Sequence, residues 1–421
     1  MKWNKVRTRR TTRATVAIAA LALVLAACGD SEGADAVDEG AKLDGEPIKI
    51  GFAVSLTGPQ SSSTAGSAPA AQAWAQQTNA DGGINGRPVE IVVVDTKNNA
   101  SAAQAAAKEL VEDEDIVAMM VTDSVAEGAV GEYLQGENIP VIGSGGYNQD
   151  VWNKLPSFLT QSPNSLVVIQ SLLTAAVSSG ASEFAAAVCA ESATCAEGAD
   201  AVFGPGTEAA GLGYGGYVKI TSTAANYTAE CLSFNEKNAD YIAVLVPVDT
   251  AVRVMSDCVQ QGYDGAFATS STSFSPTKYG EIPGMNMIGT LNGFPWWADD
   301  PQVERFRDAM DKYESDTDIA STSTTTVWSS LELFKKALGA DTETVTRDSV
   351  FASYYAIKDE TLDGLLPQPI TYTEGQPAPV VNCFWQYDFT AGDDNPELLP
   401  PTGESGNGAS GDLATACTPA A

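Results

Sequence analysis

Short apolar runs alternate with amphipathic runs along the chain from residue 48 onward. The first run, 48–56, predicts a buried strand, and residues 66–80 carry apolar positions at helical spacing. Further strands are predicted at 88–95, 115–121, 139–144, 183–189, 216–222, 240–247, 265–271 and 286–293, with helices at 101–113, 124–138, 165–180, 196–210 and 250–262. Because strands that alternate with helices pair in parallel through right-handed crossovers, this order predicts an α/β fold.

The alternation stops once, at 158–164, and then restarts. This break divides the strands into two βα units in tandem, and their continuous apolar character indicates that helices cover both faces of each sheet. Two amphipathic helices follow the second unit, at 300–315 and 324–338. A terminal hairpin is predicted within 368–389.

The glycine-rich stretch NADGGING, 79–86, lies between a predicted helix and a predicted strand. It therefore falls at the N-terminal edge of a parallel sheet, whereas ligands of open α/β sheets bind beyond the carboxyl ends of the strands. We interpret its glycines as turn residues and not as a phosphate cradle. The loops after Val54, Val121 and Ile142 are the candidate binding loops.

The N-terminal segment has the pattern of an export signal. Residues 1–27 combine six basic residues, no acid and an apolar run too short to span a bilayer, which is typical of a signal peptide. The following LAAC, Leu25–Cys28, resembles a bacterial lipobox, so lipidation of Cys28 is expected; cleavage near Ala27 in ordinary secretion is the alternative. Residues 28–47 are acidic and glycine-rich and predict a flexible tether.

The net charge of the chain and the absence of histidine exclude several classes of function. The 421-residue chain carries a formal charge of −31, and beyond the signal segment 17 bases face 54 acids, so the body is near −37. Such a body repels nucleic acid and anionic lipid, and neither is an expected partner. The sequence has no His, which rules out Ser-His-Asp and Cys-His catalysis. We expect no enzyme activity, no metal and no cofactor.

The cysteines after residue 28 are even in number, which in an exported protein indicates disulfides. They are Cys189, Cys195, Cys231, Cys258, Cys383 and Cys417. Many pairings are possible, and proximity along the sequence favours joining consecutive cysteines in that order. A metal site is not indicated, because no C-x-x-C spacing occurs.

Four segments resemble the Leu/Ile/Val-binding family of type I periplasmic binding proteins, which are substrate-binding proteins of ABC transporters. They are IKIGFAVSLTGP, NADGGINGRPVEIVVVD, AAAKELVEDEDIVAMMV and NIPVIGSGG. The resemblance implies two Rossmann-like lobes with parallel sheets, joined by a three-segment hinge, with the ligand in the cleft. The expected N-terminal lobe is 48–161 plus 298–362, the C-terminal lobe is 162–297 plus 363–392, and 393–421 is a loose tail.

The first lobe offers most of the expected ligand contacts. The predicted helix that begins at Ser124 should present unpaired amides and a positive dipole end to a carboxylate. By resemblance Ser124 contacts the ligand, although capping of the helix is an alternative role. Gly145 and Gly146 allow close approach to the backbone, Tyr147 falls at a ligand position, and Ser63 falls where the family can carry an aromatic wall.

The second lobe departs from the amino-acid-binding pattern. Residues 270–272, Ser-Ser-Thr, stand where a family acid pairs with the ligand ammonium, so Ser271 is the expected contact there. Asp123, Glu191 or Asp249 could supply the missing charge. Cys195 replaces a family Tyr that covers the ligand. Five aromatic residues could line the pocket or pack the hinge: Tyr147, Trp152, Phe294, Trp296 and Trp297.

The sequence thus predicts an extracytoplasmic, monomeric lipoprotein, anchored to the bacterial cell membrane through lipid alone. It would capture a small polar solute, by family default a branched-chain amino acid, and deliver it to an ABC permease. The alternative is a binding protein that senses an amide, urea-like or aromatic solute and reports to a signalling partner.

Overall fold

The computed structural model describes residues 43–191, 193–339, 344–401 and 404–418, without the side chains at 193–195 and 197. The predicted signal segment, Cys28 and the tether up to residue 42 lie outside the described residues. None of the described helices is long and apolar enough to cross a membrane.

The first lobe is built on a four-stranded sheet in the order β2-β1-β3-β4, with every pair parallel. Its elements are β1 (Ile48–Val54), α1 (Ser61–Thr64), α2 (Ser67–Ala80), β2 (Val89–Asp95), α3 (Ala100–Lys108), β3 (Ala118–Thr122), α4 (Ser124–Gly136), β4 (Val141–Ser144) and α5 (Gln149–Trp152). Ile50 of β1 pairs with Ile91 on one side and Ala118 on the other, so the apolar runs form the buried centre of the sheet. The predicted helix 101–113 ends as a π-helical turn at Glu109–Asp113.

The second lobe contains a sheet with the main order β11-β10-β9-β8-β7-β5-β6. Its elements are α6 (Ser165–Ser178), β5 (Glu183–Cys189), α7 (Ala193–Ala210), β6 (Gly213–Ile220), α8 (Thr228–Glu236), β7 (Tyr241–Leu245), α9 (Val248–Gln260), β8 (Ala266–Thr269), α10 (Pro276–Tyr279), β9 (Asn286–Leu291), β10 (Cys383–Thr390), β11 (Glu397–Leu399) and β12 (Ala416–Cys417). Strands β5 to β9 are parallel, whereas β10 runs antiparallel to β9, β11 and β12.

The chain returns to the first lobe after β9. Helices α11 (Pro301–Tyr313) and α12 (Thr322–Leu338) pack against α2, and α13 (Arg347–Ala356) packs against α12. The contact between α2 and these helices is close because α2 is rich in buried alanines around the fully buried Trp74. Two lobes with parallel sheets, each with its own strand-tip loops, confirm the predicted α/β fold.

The prediction of a terminal hairpin is wrong. Ile370 forms only an isolated bridge with Glu360, and Cys383–Thr390 pairs instead with β9, β11 and β12. The described part of the segment after 393 is also tied to this strand, and Asn407 is buried there with three carbonyl acceptors for its side-chain amide. The expectation of a loose tail is therefore not met at 404–418, because β12 and a disulfide hold it.

Two of the predicted disulfides are confirmed. Cys231 of α8 is bonded to Cys258 of α9, and Cys383 of β10 is bonded to Cys417 of β12. Cys189 is also disulfide-bonded. Its predicted pairing with Cys195 stays a prediction, because that side chain lies outside the described residues.

The glycine-rich stretch 79–86 forms a turn, as its position before a strand predicts. Gly82, Gly83 and Gly86 all have positive φ, between 71° and 104°. At Gly83 a Cβ atom would lie 2.1 Å from the Arg87 carbonyl oxygen, so a larger residue cannot fit there. The glycines serve backbone geometry, at the end of the sheet away from the strand tips.

Candidate functional site

A cavity of about 210 Å³ lies between the strand-tip loops of the two lobes. The first lobe lines it with Pro59, Gln60, Ser63, Asn98, Ser124, Val125, Gly145 and Tyr147, and the second with Ser165, Val168, Ile169, Cys189, Glu191, Ser222, Leu245, Val246, Pro247, Ser270, Ser271, Thr272, Ser273 and Asn292. Most of these residues end a strand, follow one or lie in the first turns of a helix at the carboxyl edge of its sheet. This is the edge at which open parallel sheets bind ligands.

A wider groove of about 700 Å³ lies elsewhere, beside α13. Its walls include Gln135 and Asn138 at the end of α4, together with Phe351 and Tyr355. The end of α4 is the edge of the first sheet opposite the strand tips. The residues that line this groove lie away from the strand tips, so the strand-tip cavity is the better candidate.

The N-terminus of α4 is closed by Asp123. This carboxylate is fully buried and accepts from the backbone amides of Val125 and Ala126 at 2.7 and 2.9 Å. It also accepts from the Thr96 hydroxyl and, at 2.8 Å, from the Asn98 side-chain amide. Asp123 is a helix cap and does not line the cavity, so the expectation that it contacts a ligand is not supported.

The first amide of α4 is also paired. The backbone N–H of Ser124 donates to Gln60 Oε1 at 2.9 Å, and Asn98 Nδ2 donates to the same oxygen at 3.2 Å. Gln60 Nε2 in turn donates to the Tyr147 hydroxyl at 3.0 Å. The prediction that this helix presents unpaired amides is therefore wrong, because side chains of the neighbouring loops already satisfy them.

A second buried acid, Glu127, organises the loop after β4. It is fully buried and accepts from the Ser144 hydroxyl, from the backbone amides of Gly146 and Asn148 at 3.1 and 2.6 Å, and from Trp152 Nε1 at 2.8 Å. Burial raises the pKa of the Glu127 carboxyl, and these hydrogen bonds oppose the shift. One side chain thus sets the path of the loop that carries Tyr147.

The two glycines of this loop differ in role. Gly145 lines the cavity, and a Cβ there would collide with the Tyr147 ring at 2.0 Å. Gly146 does not line the cavity; it has φ of +67°, and a Cβ would meet Asn164 and the Trp152 ring at 2.8 Å. Gly146 also accepts from the Ser165 amide at 2.8 Å, so it fixes the passage of the chain into the second lobe.

Tyr147 is half-buried and lines the cavity. Burial raises the pKa of its hydroxyl to about 12, with a further contribution from the negative charge of Glu127. The hydroxyl is therefore a neutral hydrogen-bonding group at physiological pH.

In the second lobe the loop after β8 presents neutral hydroxyl groups to the cavity. Ser271 lines the cavity, and its hydroxyl donates to Asn292 Oδ1 at 2.6 Å and lies 3.0 Å from the Thr322 hydroxyl. These partners belong to the segments that leave the second lobe and enter α12. Ser63 lines the cavity from the first lobe and lies 3.1 Å from Ser273 Oγ, so a hydrogen bond joins the lobes across the cleft.

The acids proposed for the second lobe have different positions. Glu191 lines the cavity and accepts from the Ser222 amide and hydroxyl at 2.6 and 2.8 Å. Burial acts to raise the pKa of Glu191, but these hydrogen bonds outweigh it and hold that pKa below its usual range. Asp249 lies exposed in the first turn of α9 and does not line the cavity.

The aromatic residues near the hinge are packing residues, except for Tyr147. The Trp296 ring packs against the rings of Phe274 and Trp297, with centroids 6.0 and 4.6 Å away, and the Phe294 ring lies 5.5 Å from that of Phe306. The Trp152 ring packs against Gly146, and its indole N–H donates to Glu127. None of these four predicted residues lines the cavity.

The structure therefore brings six predicted ligand contacts to one cavity, namely Ser63, Ser124, Gly145, Tyr147, Glu191 and Ser271. Gln60, Asn98 and Asn292 also line it but were not singled out from the sequence. Gln60 lies in the loop after β1, a strand-tip position that the fold itself marks as a candidate. Among the described residues no group of three His, Cys, Asp or Glu could hold a metal.

Comparisons with known proteins agree with this architecture. The chain matches the family model "Periplasmic binding protein" over residues 47–393. It is similar in structure to a fatty acid ABC transporter substrate-binding protein from Thermomonospora curvata, with a TM-score of 0.69 and 16% identity over 87% of this chain and 94% of that one. No curated protein is significantly similar in sequence.

Two further solved structures share the fold. A leucine binding protein from Thermotoga maritima has a TM-score of 0.69 and 15% identity, over 84% of this chain and 97% of that one. A putative branched-chain amino acid ABC transporter protein from Rhodospirillum rubrum has a TM-score of 0.59 and 18% identity, over 84% of this chain and all (100%) of that one. At these identities the similarity establishes the fold and not the ligand.

Two parallel-sheet lobes with a shared strand-tip cavity define the solute-binding class of protein. Since the family model covers most of the chain, this chain belongs to the periplasmic binding protein family. Members of this family bind small solutes outside the cytoplasm and work with ABC transporters.

Proposed function

We propose that this chain captures a small solute in the cleft between its lobes and delivers it to an ABC permease in the membrane. The observation that carries the proposal is the cavity lined from both lobes, with the Ser63–Ser273 hydrogen bond spanning it. A solute that contacts both lobes favours the arrangement with the lobes together, and a permease can read that arrangement. We assign no catalytic step to the cleft.

The cavity lining favours a solute with an apolar body and a compact polar group. The second lobe contributes Val168, Ile169, Leu245 and Val246, whereas the first contributes mainly amide and hydroxyl groups. A branched-chain amino acid, the family default, has this general form and is the reference ligand. An amide, urea-like or aromatic solute is the alternative, and with it a role in sensing that reports to a signalling partner.

The proposed location is outside the cytoplasm, with the protein monomeric and held to the membrane through lipid on Cys28. The lipobox-like LAAC supports the anchor. A Cys28→Ala variant should move from the detergent phase to the aqueous phase on Triton X-114 partitioning. If the wild-type chain already partitions into the aqueous phase, the anchor is disproved.

A thermal-shift screen of the full chain tests the capture of a solute. Amino acids, their amides and aromatic acids would be compared, and one of them should raise the melting temperature in a concentration-dependent way. A solute at 100 times its Kd stabilises the folded form by about 2.7 kcal/mol. If no solute shifts the melting temperature, the proposed function is contradicted.

A matched pair of serine variants places the site. Ser124→Ala, at the start of α4, should weaken binding of the stabilising solute, and calorimetry measures the loss. Ser101→Ala changes an exposed serine in the first turn of α3 and should bind as the wild type does. Equal affinities for the two variants would show that the solute does not contact this part of the cleft.

A further inference from the structure

All four amides at the start of α4 are paired within the chain. Asp123 accepts the second and third through its carboxylate and the fourth through its carbonyl oxygen at 3.1 Å. Gln60 Oε1 accepts the first, that of Ser124, at 2.9 Å. Helix N-termini bind anions through amides that lack such partners. A ligand carboxylate can use this helix end only by displacing a protein side chain.

Gln60 is held firmly in that position. Its side chain is buried, and besides the Ser124 amide it receives a hydrogen bond from Asn98 at 3.2 Å and donates to Tyr147 at 3.0 Å. Displacing it would leave the Tyr147 hydroxyl and the Asn98 amide each without one buried partner, which is unfavourable. The neutral amide of Gln60 thus occupies the point where a ligand carboxylate would bind.

The charges around the cavity also disfavour a carboxylate. Glu191 is the one charged side chain among the described lining residues, and none of them is a cation. The carboxylates of Asp123 and Glu127 are also buried nearby, because Asp123 accepts from the lining residue Asn98 and Glu127 accepts from the amide of Gly146, which lies between the lining residues Gly145 and Tyr147. A bound carboxylate would therefore lose its hydration and gain no opposite charge, whereas a neutral group loses far less.

We propose that Gln60 is a specificity-determining residue that makes the cleft select solutes with a neutral carboxamide in place of a free carboxylate. This inference rests on the proposed function, because it concerns the solute that the cleft captures. The carboxamide can donate as well as accept, which suits a lining of hydroxyl and amide groups. The apolar body of the solute lies against the second lobe.

Matched pairs of solutes test the proposal on the full chain by calorimetry. The pairs are 4-methylpentanamide with 4-methylpentanoate, phenylacetamide with phenylacetate, and L-leucinamide with L-leucine. Within a pair the body is constant and the carboxylate is replaced by an amide. In at least one pair the wild type should bind the amide at least about tenfold more tightly, which corresponds to about 1.4 kcal/mol.

Variants at position 60 separate selection from simple support of the fold. Gln60→Ala removes the acceptor and frees the Ser124 amide, so the preference for the amide should fall by about tenfold. Gln60→Glu keeps an oxygen acceptor and adds a negative charge, so it should keep or increase the preference. Gln104→Ala, an exposed glutamine of α3, should match the wild type. If Gln60→Ala does not fold, Gln60→Asn withdraws the acceptor and carries the same expectation.

The outcomes distinguish the two proposals. If the wild type binds the carboxylate at least as tightly as the amide in every pair, this inference fails while the proposed function stands. Unchanged discrimination in a folded Gln60→Ala or Gln60→Asn protein also overturns it. If no solute of the screen or the pairs binds, both proposals fail.

Discussion

The two lobes present similar strand-tip loops to the cleft but hold them by different means. In the first lobe, the buried side chains of Gln60, Asp123 and Glu127 and the partly buried amide of Asn98 fix the loops through hydrogen bonds. In the second lobe the cleft is lined mainly by apolar residues and hydroxyl groups, together with Glu191 and Asn292, and disulfides join α8 to α9 and β10 to β12. The described first lobe contains no cysteine at all.

This difference indicates a division of tasks. A network of buried polar groups specifies one geometry only while every member is paired, so we propose that the first lobe determines which polar group of a solute fits. Covalent links constrain the unfolded chain without adding polar groups to the cleft, so the second lobe can present an adaptable apolar wall. A substitution in one lobe should therefore change the stability of that lobe more than that of the other.

The largest effect is expected from removing a disulfide of the second lobe. Cys231→Ala combined with Cys258→Ala opens a loop with a sequence separation of 27 residues. Chain entropy then predicts a loss of about 3.5 kcal/mol in the free energy of unfolding. Denaturant titration measures the loss of stability. Hydrogen exchange should show that, relative to the wild type, α8 and α9 lose more protection than α2. Equal loss of protection in both lobes would contradict the separation.

A similar loss in the first lobe should follow from Glu127→Ala. The change leaves the amides of Gly146 and Asn148 and the Trp152 indole N–H without their buried acceptor. We expect a cost of about 3 kcal/mol. Glu132→Ala, an exposed residue of the same helix, is the control and should change stability by less than about 0.5 kcal/mol. Two variants of equal stability would disprove the role of Glu127.

A smaller effect is expected where α11 joins the first lobe. Arg305 lies 2.9 Å from Asp81 and 3.0 Å from Glu332, and both contacts are partly exposed. Arg305→Ala should therefore cost about 1 kcal/mol, and less at high salt. Lys154→Ala breaks the more exposed pair with Asp150 and should cost little. Equal costs measured by thermal unfolding at low salt would argue against this ranking.

The smallest effects are opposite pH dependences of two carboxylates. Burial raises the pKa of Glu127 above 4.5, so its stabilising contribution is present at low pH and is lost as the pH rises through the raised value. For Asp240, burial acts to raise the pKa, but hydrogen bonds from Ser182 and the Glu183 amide outweigh it and lower the pKa below 3.8. Its contribution is present above that value and is lost on acidification.

Chemical unfolding between pH 3 and 7, with the wild type compared in turn with Glu127→Gln and Asp240→Asn, measures these contributions. The advantage of the wild type over Glu127→Gln should shrink as the pH rises above about 4.5. Its advantage over Asp240→Asn should shrink as the pH falls below about 3.8. Slopes of the same sign for the two comparisons would contradict the assignment.

The sequence predicted the sheets well because their strands are buried on both faces and stand out as continuous apolar runs. It missed α8, since only Cys231 and Phe234 of that helix are buried and its polar residues show no clear periodicity. It also missed the antiparallel pairing of β10 with β9. That pairing joins residues about a hundred positions apart, and no local pattern records it.

The site was predicted as a location more successfully than as a set of contacts. Ser124, Gly145 and Tyr147 follow strand tips, and fold geometry alone brings such residues to the cleft. The sequence could not show that Gln60 reaches the Ser124 amide, since that bond depends on the rotamer of one side chain in the folded loop. For the same reason it could not separate the capping role of Asp123 from a role in binding.

The position of the solute in the cleft is tested most directly by a crystal structure of the full chain with the solute that stabilises it most in the thermal-shift screen. The solute should lie between Ser124 and the loop at 270–273, with contacts to both lobes and with Gln60 still bonded to the Ser124 amide. A solute bound in the groove beside α13, or beside the turn at Gly82–Gly86, would contradict it.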